Sequence, residues 1–204
     1  QYLPRAYRDP DDALAREKMH NASTIAGMSF TNAFLGINHC MAHILGATFH
    51  IAHGRANAVV MPAVIRYNAA LPSKFVSYPK YRYPQAAHRY AKIAEALRLP
   101  ADTPEQGVAS LIQAVNELKA SLDLPETIGQ AGVERDAFAK QIRHMAEIAF
   151  DDQCVSANPC YPLVADLERL FWESYDGQAR AATDPKPPLE IHVEQTANEH
   201  AVGD

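Results

Sequence analysis

The sequence predicts an all-α domain of six to eight helices followed by a flexible tail, and three observations predict it. Apolar residues recur at spacings of three and four along most of the 204 residues, the period of an amphipathic helix. No stretch sustains the period-two alternation of a half-buried strand, and no Asn-Gly or Asp-Gly turn joins two strand-like runs. Proline, threonine and acidic residues fall where the periodic segments begin, the positions at which they favour a helix start.

Taken in order, "DPDDALAREKMHNASTIAGMSF" opens after Pro10 with acidic side chains that complement a helix N-terminus. Residues 31–48, apolar and dense in small side chains, predict a helix buried on most faces. After Gly54, "RANAVVMPAVIRYNAA" predicts a further apolar helix, kinked or broken near Pro62, whose ring removes a backbone donor. Residues 71–83, rich in Tyr, Pro and Lys, read as a loop. "PQAAHRYAKIAEALRL" begins near Pro84 and sets Tyr90, Ile93, Ala94 and Leu97 on one face. "TPEQGVASLIQAVNELKASLDL" spaces Val108, Leu111, Ile112, Val115, Leu118 and Leu122 by three and four. Thr103 is its expected N-cap, with Pro104 at the first helical position. "ERDAFAKQIRHMAEIAF" is another helix, ended by the "DDQCVSANPCYP" loop, and "LVADLERLFWESY" is the last, running to Gly177. The domain is therefore read as residues 1–177. Residues 178–204 are rich in Pro, Glu and Ala without periodicity, and read as a flexible tail. There is no internal repeat.

Composition narrows the function classes. Hydrophobic residues make up 48% and charged residues 21% of the chain, enough to bury a sizeable core. The net charge is −5, and its lysines and arginines are scattered, which argues against nucleic acid or an anionic membrane as partner. Three cysteines without CxxC spacing fit a reducing cytoplasm. No apolar run approaches the roughly 18 residues of a membrane span. The opening "QYLPRAYRDP", without an initiator Met, reads as the interior of a longer protein, so the chain is expected to be a fragment. HExxH, GxGxxG, GxSxG and Walker motifs are absent. Glu17 and His20 form a single ExxH, whereas a di-iron bundle needs two.

The densest chemistry lies in "INHCMAHILGATFHIAHGRANAVV", which holds four of the nine histidines, at 39, 43, 50 and 53. His39 and His43 lie four apart, hence on one face of a helix, one turn from each other. A bend before Gly54 would return His53 to the same cavity. Neutral imidazole suits Zn, Fe, Ni and Cu. On spacing alone the cluster is compatible with a metal site, a proton relay or buried core histidines. His50 breaks the pattern and reads as a surface residue or one that supports the cluster from behind.

The segment "GMSFTNAFLGINHCMAHILGATFHIAHGRANAVVMPAVIRYNA" resembles the histidine signature of the iron-containing alcohol dehydrogenases. It is most similar to the alcohol dehydrogenase half of the bifunctional aldehyde-alcohol dehydrogenases. The likeness continues in order through "YPKYRYPQAAHRYAKIAEALRL", "LKASLDLPETIGQAGV" and "AFDDQCVSANPCYPLVADLERLFWESYDG". The resemblance implies the family's C-terminal helical domain, of the dehydroquinate synthase-like type. It implies His39 and His53 as metal ligands and His43 as a non-ligand beside nicotinamide and substrate, relaying a proton. Phe30 and Cys154 match residues that line the substrate pocket. Ala52 stands where a Pro is common, Arg55 where a small apolar residue is usual, and Cys160 where Arg is typical.

The implied activity is interconversion of acetaldehyde and ethanol, or other small primary alcohols, with NAD(H) and Fe²⁺, Zn²⁺ being the other candidate metal. The family's remaining Asp and His ligands and its Gly-Gly-Gly-Ser loop for NAD match nothing in the sequence, so the chain alone is expected to be inactive. The resemblance also implies a homo-oligomer, a dimer and in bifunctional relatives a filament. The alternative is a non-catalytic helical assembly module that keeps only those interaction surfaces.

Overall fold

The computed structural model describes residues 1–71 and 85–177, and all regular structure among them is helical. Of the expected loop 71–83, residues 72–83 lie outside the described residues, as do the helix start at Pro84 and the tail 178–204. The elements are α1 Leu3–Arg8, α2 Ala13–Ala33, α3 Ile37–Phe49, α4 His53–Ala69, α5 Ala86–Ala96, α6 Pro104–Ala120, α7 Arg135–Asp151, a 3₁₀ turn Gln153–Ala157 and α8 Val164–Asp176.

Helix starts follow from capping chemistry. The Asp12 side chain accepts from the Ala15 N–H at 2.9 Å and starts α2. Thr103 accepts from Gln106 N–H and Pro104 occupies the first turn of α6, as expected. Gly177, at φ 75°, ends α8 in the left-handed conformation that glycine adopts without steric cost.

Helices α3 and α4 form the centre. They pack on each other, α3 also against α7 and the 3₁₀ turn, and α4 against α5, α6 and α8. Ile37, Met41 and Leu45 from α3 meet Val60 and Val64 from α4, Met145 from α7 and Leu167 and Phe171 from α8 in one buried core. Phe138 anchors its aromatic end, stacked on Tyr175 at 4.6 Å between centroids and edge-on to Trp172 at 5.1 Å. Helix α2 differs from the rest. Its principal neighbour is α1, and Ala15 is its one buried residue. No helix of the described residues is long and apolar enough to cross a membrane.

Four expectations need correction. The run 31–48 is not one helix: α2 continues to Ala33, Phe34 takes φ 61°, and α3 begins at Ile37. The break is held from far along the chain. Asn158, 1% exposed, accepts from the Ile37 N–H at 3.1 Å, donates to Asn68 Oδ1 at 2.7 Å and donates to the Cys160 carbonyl at 2.6 Å. Helix α4 starts at His53 rather than after Gly54, and of the expected kink or break at Pro62 the break does not occur, since the helix continues to Ala69. Its packing on four helices offsets the lost hydrogen bond, a cost of about 3 kcal/mol. The expected apolar faces are incomplete: Ile93, Leu97 and Leu118 are exposed, while Lys119 is buried and donates to the Glu126 carbonyl. The short α1 and the 3₁₀ turn, each below the length at which periodicity is visible, went unpredicted.

One stability prediction follows. A Cβ on Gly36 would lie 2.6 Å from Asn158 Oδ1, the atom that caps α3. Gly36→Ala is expected to destabilise the fold by about 1–3 kcal/mol through overpacking. Urea unfolding measures it, and an unchanged midpoint would show that the Asn158 contact does not constrain this turn.

A histidine cluster as candidate metal centre

Helix α3 ends at Phe49, His50 turns the chain at φ 55°, and α4 starts at His53. This short reversal lays the start of α4 beside α3. Asn38 on α3 clips the two together by donating to Asn57 Oδ1 on α4 at 2.7 Å. Three imidazoles then converge. The ring centroids are 5.4 Å apart for His39 and His53, 5.5 Å for His43 and His53, and 6.0 Å for His39 and His43.

Their environments differ. His39 is half-buried, while His43 and His53 are exposed. Burial, helped by the two neighbouring imidazoles and opposed by Asp152, lowers the His39 pKa and so favours its neutral ring. Its place in the first turn of α3 acts in the same direction, because the positive end of a helix disfavours a cation. A neutral imidazole is the form that binds a metal. The Asn57 amide nitrogen lies 3.2 Å from His53 Nε2 and donates to the His53 carbonyl at 3.0 Å. His43 Nδ1 lies 2.8 Å from Asp152 Oδ2.

Asp152 joins a second element to the site. Its other oxygen accepts from the Cys154 N–H at 2.8 Å and caps the 3₁₀ turn. Burial raises the pKa of this carboxyl group, but the hydrogen bonds from His43 and Cys154 win and hold it below its ordinary range. Burial, with Asp152 beside it, pushes the Cys154 thiol up to about 11. Cys40, also buried, is raised well above the usual thiol range. His43, Asp152 and Cys154 bring one nitrogen, one oxygen and one sulfur within 4.8 Å of one another.

The fold therefore brings His39, His43, His53 and Cys154 together, and leaves His50 outside as an exposed turn residue. Phe30 sits near the end of α2, 46% exposed, and makes no ring contact with the three histidines. Asp152, Asn38 and Asn57 went unnoticed in the sequence. The "DDQC" string was the available signal for Asp152, an acidic residue two places before the expected pocket cysteine.

The family model described as "Fe-containing alcohol dehydrogenase family, C-terminal" matches residues 1–175. The chain belongs to the Fe-containing alcohol dehydrogenase family. Within it, the chain is 47% identical over 166 residues to the aldehyde-alcohol dehydrogenase of Streptococcus pneumoniae serotype 2 strain D39, covering 81% of this chain and 19% of that protein. It is 44% identical over 182 residues to the bifunctional aldehyde-alcohol dehydrogenase of Escherichia coli strain K12, covering 87% and 20%. The chain thus spans about a fifth of the length of these relatives. Its fold is similar to the iron-containing alcohol dehydrogenase of Thermococcus thioreducens, with TM-score 0.68 and 31% identity over 87% of this chain and 43% of that one. The expected fold class, an all-α domain of the iron-containing alcohol dehydrogenase type, stands.

Proposed function

We propose that this chain forms the helical wall of the metal-dependent alcohol dehydrogenase site of a bifunctional aldehyde-alcohol dehydrogenase. The reaction is interconversion of acetaldehyde and ethanol, or other small primary alcohols, with NAD(H). The observation that carries this reading is the convergence of His39, His43 and His53, with centroids 5.4–6.0 Å apart, in a chain that matches the family over residues 1–175.

His39 and His53 would hold a divalent metal, Fe²⁺ in the first instance and Zn²⁺ as the other candidate. The donor chemistry fits in part: two imidazoles with ring centroids 5.4 Å apart, one with its neutral form favoured by burial, would make half of a four-donor set. His43, Asp152 and Cys154 are a poorer cradle, since the 2.8 Å His43–Asp152 contact is a hydrogen bond and the thiol is held protonated. A metal at His39 and His53 would supply Lewis-acid polarisation of the substrate oxygen. Beside such a metal, His43, whose imidazole is 44% exposed, would exchange the substrate proton with solvent, and NAD(H) when bound would carry the hydride. Phe30 and Cys154 shape a small pocket.

The test is a parallel assay of ethanol-dependent NADH formation by the whole protein and by this chain, each loaded with Fe²⁺. Turnover is expected from the whole protein only, with weak metal retention by the chain. A metal-loaded whole protein without alcohol or aldehyde turnover would overturn the function. Stoichiometric iron and turnover in the chain alone would overturn the assignment of only half the site to it.

One observation favours a second reading, a helical assembly module. Helix α2 exposes Ile25, Met28 and Phe30, with Phe34 following. In that case the whole protein forms a dimer or filament through this face, and light scattering on an Ile25→Asp, Met28→Asp variant would show dissociation without loss of metal.

A further inference from the structure

The proton-handling role of His43 requires that one ring nitrogen be committed and the other left to exchange, and the structure contains a group placed to enforce this. Asp152 sits 109 residues away in sequence, with its Oδ2 2.8 Å from His43 Nδ1. The carboxylate is not free to swing. Its Oδ1 is bound by the Cys154 backbone N–H at 2.8 Å, and its side chain is 18% exposed against 44% for His43. One oxygen is thus fixed to the 3₁₀ turn and the other aimed at the imidazole. A carboxylate only accepts, so the nitrogen facing it must carry the proton.

We propose that Asp152 is a positioning residue that holds His43 as its Nδ1–H tautomer, leaving Nε2 as the nitrogen that exchanges the substrate proton. The same carboxylate sets the height of the turn that carries Cys154, so the proton-handling ring and the pocket cysteine are registered to one anchor. This inference rests on the dehydrogenase reading above for the meaning of the tautomer, but the tautomer itself can be read without turnover.

Asp152→Asn separates positioning from structure. The amide keeps an oxygen to accept from the Cys154 N–H, but turns an NH₂ donor toward His43 Nδ1. That nitrogen must then accept, and the proton moves to Nε2. Asp152→Ala removes both contacts, leaves the ring without a tautomer preference from this side, and removes the cap of the turn. Nitrogen-15 NMR of His43 in this chain, assigned by loss of its signals in His43→Asn, is expected to show protonated Nδ1 in the native protein. Protonated Nε2 is expected in Asp152→Asn, and a mixture in Asp152→Ala. In the whole protein, Asp152→Asn is expected to lower kcat by about 10²-fold, at the low end of what a positioned proton-transfer group contributes, with KM little changed.

A native His43 protonated on Nε2 would overturn the proposal. So would an Asp152→Asn variant that keeps the native tautomer and kcat while only Asp152→Ala loses melting temperature, the signature of a purely structural cap. If the whole protein lacks dehydrogenase activity but the tautomer inverts as stated, the positioning inference stands and the functional reading falls.

Discussion

Replacing His53 by alanine in the whole protein is expected to abolish retention of its divalent metal and to cut alcohol oxidation by about 10³-fold. The size follows from what a Lewis acid supplies, several kcal/mol of transition-state stabilisation at about 1.4 kcal/mol per factor of ten. Loss should come without unfolding, because the His53 side chain is exposed at the start of α4 and its backbone conformation suits alanine. His39→Ala is expected to match it, with a somewhat larger cost in stability because His39 is half-buried. The control is His50→Asn. That residue is exposed, lies outside the cluster, and occupies a left-handed turn that asparagine tolerates. Elemental analysis of dialysed protein, with circular dichroism to verify folding, distinguishes the outcomes. Native metal content in both His39→Ala and His53→Ala would show these imidazoles to be bystanders.

The largest effect on stability is expected at Phe138. The ring is fully buried on α7, stacks on Tyr175, meets Trp172 edge-on and lies 6.1 Å from Phe49 at the end of α3. It therefore ties three helices at one point. Tyr175 is held in turn by its hydroxyl, which donates to the Val133 carbonyl at 2.8 Å, so the cluster cannot easily collapse into a void. Phe138→Ala is expected to cost about 3–5 kcal/mol, the transfer term plus an unfilled cavity. For a chain of this size that is roughly a 10 °C fall in melting temperature. A fall of a degree or less in calorimetry would mean that the aromatic end contributes little to cooperativity.

What could be read from the sequence depends on how far apart the causes lie. Thr103 and Pro104 set the start of α6 by contacts within four residues, so local chemistry sufficed there. The break before α3 depends on Asn158, 121 residues from Ile37, and no local pattern announces it. Pro62 misled because its intrinsic penalty is visible in sequence while the packing of α4 against its neighbours is not. Leu118 misled for a related reason: period alone marks it for burial, but the Glu126 carbonyl draws the neighbouring Lys119 ammonium group inward instead. The same division runs through the site. The four-residue step from His39 to His43 foretold a one-turn pair. Division of ligand from relay came from resemblance, and Asp152 from the fold alone.

The reversal between α3 and α4 has a kinetic consequence. All three clustered histidines lie between positions 39 and 53, so bringing them together closes only a short loop, and loop-closure entropy grows with length. Closing contacts of such low sequence separation costs less chain entropy than closing the 109-residue span to Asp152. During synthesis the imidazole trio would be complete before the anchor of His43 has been made. On the proposed reading, a divalent ion would meet His39 and His53 on a nascent chain before the Asp152 contact to His43 has formed.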